Sequence, residues 1–215
     1  MFQAGYMEKL NTIMEWITRF FALQLIWILF CLVGLGIGGI FPATFTMFAI
    51  CRKWINKQTE VPIFKTFWEL YRKGFLKTNL LGWVTTLTGC SIYYYFQLFK
   101  GSESMMDMVL FIAVWIAGIL YLMTVLLMIP VYVHFDIKLF SVAKHALIIA
   151  IAHPFHTASI AALTVGFSMV IILIPGLFPF FSFSLLAFGV MWIANSAFTK
   201  MEQKVSKFRQ TNSSV

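Results

Sequence analysis

The sequence predicts an all-α membrane protein, a polytopic bundle of five or six transmembrane helices with amphipathic helices at the cytoplasmic interface. Only 11% of its 215 residues are charged and 60% are hydrophobic, whereas a soluble domain carries roughly 25% charged residues. The charges are also clustered, which leaves four charge-free stretches. These are residues 20–51, 78–99, 108–135 and 157–199. Since about 20 apolar residues span the hydrocarbon of a bilayer, we expect a single integral membrane domain over residues 1–215.

The first charge-free stretch is too long for one crossing and too short for two. Residues 1–19 form an amphipathic segment that leads into a first spanning helix near residues 20–35. The glycines at 34–39 predict a bend at membrane depth, packed against other helices. Pro42 favours the start of a second helix that runs to about residue 56, because its missing N–H costs nothing at the first helical position.

These two helices are expected to form a hairpin in which the second helix crosses only partly. The hairpin places both termini in the cytoplasm. A single crossing over residues 20–51 would instead give five spans and an external N-terminus, and the balanced charges of residues 1–19 fit both arrangements.

Residues 52–77 form a basic loop that the positive-inside rule places in the cytoplasm. Within it, Pro62 predicts the start of an amphipathic helix. Aromatic residues recur on one side of this helix at steps of three and four, and bases occupy the other side, a pattern typical of a helix in the membrane interface. Glu69 and Lys73 are four residues apart in the order that favours an ion pair. The helix face at residues 64–75 is expected to contact either anionic lipid or a cytoplasmic partner.

The second half of the chain contains the remaining crossings. Residues 78–99 and 108–135 each fit one, and residues 157–199 fit two that are separated by the turn at residues 175–179. Residues 136–153 predict a second cytoplasmic interfacial helix, capped by Asp136 and ended by His153-Pro154. Residues 200–215 form a basic cytoplasmic tail.

The long spans contain no ionisable residue of the kind that transporters usually carry. Their polar residues are expected to hydrogen-bond between helices, although a polar substrate path is the alternative. The residues concerned are Gln24, Asn79, Thr85, Thr86, Thr88 and Asn195. The one candidate metal cluster is interrupted by Pro154, and consists of His134, Asp136, His145, His153 and His156. We therefore expect no catalytic residue, no cofactor, no metal and no enzymatic activity, and we attribute the net charge of +8 to membrane orientation rather than to nucleic acid binding.

Several segments together resemble one known family over nearly the whole chain. They are Gly-Ile-Phe-Pro-Ala-Thr at 39–44, Phe48, Arg-Lys-Trp at 52–54, residues 66–68, 71–73, 75–82 and 133–138, and His153-Pro154 with Thr157. This combination resembles the YesL-like family of bacterial integral membrane proteins, which has no established biochemical activity. Genes of that family often lie beside genes for carbohydrate uptake. The resemblance therefore implies an accessory role in carbohydrate import, with sugar ABC-transporter components as partners besides the lipid bilayer.

The predicted function is accordingly that of a non-enzymatic accessory or scaffold protein of the plasma membrane. The alternative is a small transporter or channel for a polar solute. Three regions are expected to carry structural or partner contacts: the 38–44 bend with the end of the second helix, the 64–75 helix face, and the second cytoplasmic helix. Their residues are Gly39, Pro42, Thr44, Arg52, Phe67, Trp68, Arg72, Asp136, Lys138, His153 and Pro154.

Overall fold

The computed structural model describes the backbone of residues 2–101, 104–135 and 137–213, and side chains within residues 7–201 apart from 8, 102–103, 136, 140 and 177–178. Across these residues every regular element is a helix, which confirms the all-α prediction. The elements are α1 (Phe2–Val33), α2 (Ile37–Ile55), α3 (Ile63–Phe99), α4 (Met105–His134), α5 (Leu139–Ala152), α6 (Pro154–Leu173), a short 3-10 turn (Pro175–Leu177) and α7 (Phe178–Ser213).

Four helices in the described part of the chain are long and apolar enough to cross a membrane. The qualifying segments are Lys9–Val33, Met105–His134, Pro154–Leu173 and Pro179–Met201. The predicted crossing at residues 78–99 is not among them, and its many threonine and tyrosine hydroxyl groups make it less apolar. The count of five or six crossings thus stays a prediction.

The helices pack as two compact units. The first contains Met1–Gly74 and Leu163–Trp192, and the second contains Phe75–Ala162 and Ile193–Val215. Helices α3, α6 and α7 contribute residues to both units, which are described separately below.

In the first unit α1 and α2 form an antiparallel hairpin. Near the turn, a Cβ atom added to Gly39 would lie 2.5 Å from the carbonyl oxygen of Cys31. Further from the turn, the Trp27 indole nitrogen donates to the Thr44 hydroxyl oxygen at 3.2 Å, and the rings of Phe20 and Trp54 are 5.7 Å apart. The predicted hairpin is confirmed, and Gly39 allows the two backbones to approach closely.

The turn lies within the predicted glycine-rich stretch 34–39, but the predicted extension of the bend over residues 38–44 was wrong. The chain reverses at residues 34–36, whereas residues 38–44 are helical. The Gly36 N–H donates to the Cys31 carbonyl and the Leu35 N–H to the Leu32 carbonyl, which is the Schellman pattern of a helix C-terminus. Leu35, with a φ of 58°, occupies the left-handed position that glycine usually takes.

Pro42 does not start a helix, contrary to the prediction. The N–H groups of Gly39 and Ile40 already donate to the Gly36 carbonyl, so α2 begins at Ile37 and Pro42 lies inside it. Pro42 removes one backbone hydrogen-bond donor from α2, and its side chain is buried.

The later helix boundaries match the sequence pattern more closely. α3 begins directly after Pro62, but the predicted interfacial helix and the crossing that follows it form one continuous 37-residue helix. The breaks at His153-Pro154 and at residues 175–179 are confirmed. The predicted tail continues α7 as helix as far as Ser213.

Candidate functional site

The inner face of α3 packs against the end of α1 in the first unit. Phe67 and Tyr71 are buried, with ring centroids 4.8 and 4.9 Å from that of Phe30. The Tyr71 hydroxyl donates to the Phe30 carbonyl oxygen at 3.2 Å. Burial, with a smaller contribution from Cys31, raises the pKa of Tyr71 above its usual value, so this hydroxyl remains a donor at neutral pH. Phe67, one of the predicted contact residues, therefore supports the fold from inside.

The outer face of α3 carries the charges. Lys65, Glu69, Arg72 and Lys73 are all exposed. Glu69 forms no ion pair with Lys73, nor do the three bases form one with any described residue. The favourable spacing of Glu69 and Lys73 thus does not produce the expected contact. Two of the predicted contact residues, Trp68 and Arg72, do lie at the surface.

Gln24 is the buried polar side chain that joins α1 to α7. Its Oε1 atom accepts hydrogen bonds from the backbone N–H groups of Phe183 at 3.1 Å and Ser184 at 3.0 Å. Its amide nitrogen also approaches the hydroxyl oxygen of Ser182 at 3.5 Å. An amide buried in an apolar bundle is costly unless it is hydrogen-bonded, and this arrangement confirms the prediction that Gln24 links helices.

In the second unit the predicted polar residues of α3 mostly bond within their own helix. The hydroxyl groups of Thr86 and Thr88 donate to carbonyls four residues earlier. The expectation that these two hydroxyl groups join helices was therefore wrong. The Asn79 amide nitrogen likewise donates to the Phe75 carbonyl. Such local bonds are the usual alternative for threonine and asparagine inside a helix.

The Thr85 hydroxyl does reach α4, where it donates to the Met128 sulfur at 3.3 Å, and a tyrosine that sequence reasoning missed supplies a further link between α3 and α4. The Tyr121 hydroxyl donates to the Thr85 carbonyl oxygen at 2.9 Å, and a Cβ atom on Gly89 would lie 2.5 Å from the Tyr121 hydroxyl oxygen. Gly89 thus makes room for the ring. The available signal was a tyrosine in an apolar stretch, because a buried phenol hydroxyl usually requires a partner.

The remaining predicted residues do not come together in one site. Thr44 accepts from Trp27 and donates to the Ile40 carbonyl within α2, and Arg52 is half-buried near the end of α2. Lys138 precedes α5 without a side-chain capping bond, while the proposed cap, Asp136, lies outside the described residues.

The histidines belong to the second unit. The rings of His153 and His156 have centroids 5.8 Å apart, and Pro154 begins α6 between them. His134 packs against Phe198 instead, with a centroid distance of 4.6 Å. In the described part of the chain, no three His, Cys, Asp or Glu side chains are grouped so that they could hold a metal ion.

Long apolar helices joined through a buried amide and a tyrosine hydroxyl define a polytopic α-helical membrane protein. Residues 20–96 match the family model described as "Protein of unknown function, DUF624". The uncharacterized protein YteU of Bacillus subtilis (strain 168) is 38% identical over 93% of this chain and 89% of its own length. The chain therefore belongs to this DUF624 family.

Two further relatives from the same organism are similar over most of their lengths. The uncharacterized protein YesL is 29% identical over 92% of this chain and 93% of its own. The uncharacterized protein YesV is 31% identical over 82% and 85%. These matches agree with the YesL-like resemblance seen in the sequence. No solved structure matches the chain significantly.

Proposed function

We propose that this protein is a non-enzymatic accessory or scaffold component of a carbohydrate-uptake system in the cell membrane. The observation that carries the structural part of the proposal is the use of Gln24, whose side chain holds α1 to α7 through the backbone of Phe183 and Ser184. A polar side chain engaged in this way supports the packing of the bundle rather than the handling of a solute. The carbohydrate part rests on the family resemblance, and its partners are sugar ABC-transporter components.

The proposed topology is multi-pass, with both termini in the cytoplasm. The contact between Trp16 and Trp54, with centroids 5.9 Å apart, supports it because it brings the two open ends of the α1–α2 hairpin together. The bases Arg19, Arg52 and Lys53 lie near this end in sequence. Basic residues are retained on the cytoplasmic side, so this end of the hairpin is assigned there.

Affinity purification of the tagged full-length chain from its native membranes tests the proposal. We expect permease or ATPase subunits of a sugar transporter to co-purify in excess over a tagged, unrelated membrane protein of similar size. Recovery of no such subunit above that control would contradict the accessory role. Solute flux across liposomes that contain only the purified protein would instead support the alternative function of a small transporter or channel.

A further inference from the structure

We propose that the outer surface of the first turns of α3 binds the headgroups of anionic phospholipids in the bilayer. This α3 basic surface consists of Lys65, Arg72 and Lys73 together with Phe64 and Trp68. The proposal goes beyond the accessory function and does not depend on it.

The charge of the α3 basic surface calls for an anionic ligand. Its three bases face one acid, Glu69, which leaves a net charge of +2, and all four side chains are exposed. None of the bases forms an ion pair with a described residue. Arg72 lies seven residues after Lys65, about 10 Å further along the helix axis, so the bases are spread over two turns. Distributed phosphate groups fit such a spread without a matched geometry.

The packing of α3 fixes which way these bases point. Phe67 and Tyr71 are buried on the opposite side, and the Tyr71 hydroxyl is bonded to the Phe30 carbonyl oxygen. The helix therefore cannot roll to hide its bases without breaking this contact. The basic surface is a fixed feature of the first unit.

The aromatic residues beside the bases favour a lipid over a soluble anion. Trp68 is 46% exposed and Phe64 is 57% exposed, and the ring of each contacts that of Phe30, with centroid distances of 5.7 and 5.9 Å. Each ring is thus held on one side by the protein and left open on the other. Half-exposed aromatic rings next to lysine and arginine suit the boundary between headgroups and acyl chains.

The test compares the thermal unfolding of the purified full-length protein in detergent micelles supplemented with phosphatidylglycerol or with phosphatidylcholine. A lipid that binds only the folded state raises the melting temperature, and we expect a larger rise with phosphatidylglycerol that shrinks at high salt. Because each base near an anionic surface contributes about a fivefold preference, K65Q/R72Q/K73Q should lose at least about tenfold of the preference for phosphatidylglycerol.

Two further variants make the test two-sided. E69Q removes the one acid and should increase the phosphatidylglycerol preference. K9Q/K100Q/K200Q removes three bases that are exposed elsewhere and should leave the preference unchanged. If the triple α3 variant does not fold, E69Q and R72Q alone must still move the preference in opposite directions.

Either of two results overturns the proposal. One is a phosphatidylglycerol response that the α3 variants leave unchanged; if these variants also lose a co-purifying protein, the surface is a protein-docking site. The other is a preference for phosphatidylglycerol that the control variant loses to the same extent. Neither result depends on whether sugar-transporter subunits bind elsewhere on the chain.

Discussion

The α1–α2 hairpin and the contact between α3 and α4 use glycine in two different ways. At Gly39 the close neighbours are backbone atoms of Phe30 and Cys31, whereas at Gly89 they all belong to the side chain of Tyr121. Backbone atoms of a packed helix cannot move aside, but a ring at the end of a side chain can. The α1–α2 hairpin should therefore tolerate added volume at Gly39 far less than the α3–α4 contact tolerates it at Gly89.

The helices α2 and α4 also differ in how many of their residues are buried. Ten residues of α2 are buried, including Phe45, Met47 and Ile50, against only four residues of the longer α4. α2 thus packs within the protein, whereas α4 leaves most of its surface for lipid. Substitutions at both glycines test this contrast.

Gly39→Val should be the most damaging change. Its Cβ atom would lie 2.5 Å from the Cys31 carbonyl oxygen, and overpacking against a fixed backbone costs about 3 kcal/mol or more. Thermal unfolding and the folded yield on size exclusion in detergent measure the effect. Gly38→Val is the matched control, because a Cβ atom there meets nothing within 4 Å. Equal behaviour of the two variants would show that the hairpin does not need the close approach at Gly39.

Gln24→Leu should weaken the attachment of the first hairpin to α7. The substitution leaves the N–H groups of Phe183 and Ser184 without the Gln24 acceptor, and interhelical hydrogen bonds of this kind contribute roughly 0.6 to 2 kcal/mol each. We expect a loss of about 2 kcal/mol in thermal or denaturant unfolding. Gln24→Glu, which keeps an acceptor oxygen, should lose less than Gln24→Leu if it remains protonated. A Leu variant as stable as the parent would mean that this link contributes nothing.

Gly89→Ala should cost about 1 to 2 kcal/mol, less than the change at Gly39, because the Tyr121 ring can move at the expense of its hydrogen bond to Thr85. Removing the hydroxyl with Tyr121→Phe takes away the closest atom, so G89A/Y121F should be less destabilised than the sum of the two single variants. A double-mutant cycle of unfolding free energies measures this coupling. Gly118→Ala, whose nearest neighbour is an Ile92 methyl group at 3.7 Å, serves as the control. Strict additivity at Gly89 and Tyr121 would refute the contact.

Leu35→Gly should stabilise the first hairpin slightly. Leu35 has a φ of 58° and is 93% exposed, so glycine relieves the left-handed strain and removes little packing within the chain. The free energy of unfolding should rise by about 0.5 to 1 kcal/mol, because the greater freedom of glycine in the unfolded chain offsets only part of the strain that is relieved. Leu32→Gly, at an exposed position inside α1, should instead destabilise by about 1 kcal/mol. A destabilised Leu35→Gly variant would falsify the strain argument.

Prolines in the sequence predicted many of the helix boundaries. Pro62, His153-Pro154 and the prolines at 175 and 179 each mark the end or start of a helix, because the breaking effect of proline is a property of the residue itself. Pro42 misled for a related reason. A proline is also tolerated inside a helix when packing compensates for the lost donor, and Pro42 is buried.

The partners of individual side chains could not be predicted in the same way. Phe64, Phe67, Trp68 and Tyr71 share one helical stripe, yet only Phe67 and Tyr71 are buried. All four rings contact Phe30, which lies more than 30 residues earlier in the chain, so the spacing within α3 does not indicate which of them are buried. Similarly, the role of Tyr121 depends on the space that Gly89 leaves on another helix, and no spacing within either helix indicates it.

The turn between α1 and α2 has a consequence for how the chain enters a bilayer. The N–H groups of residues 34–37 all donate to carbonyls within the turn and the last turn of α1, and residues 32–41 contain no polar side chain. Hydrocarbon excludes backbone donors that lack a partner, but here the connection brings its own acceptors. The helices α1 and α2 can therefore insert together as a hairpin, because no hydrated loop has to cross the hydrocarbon.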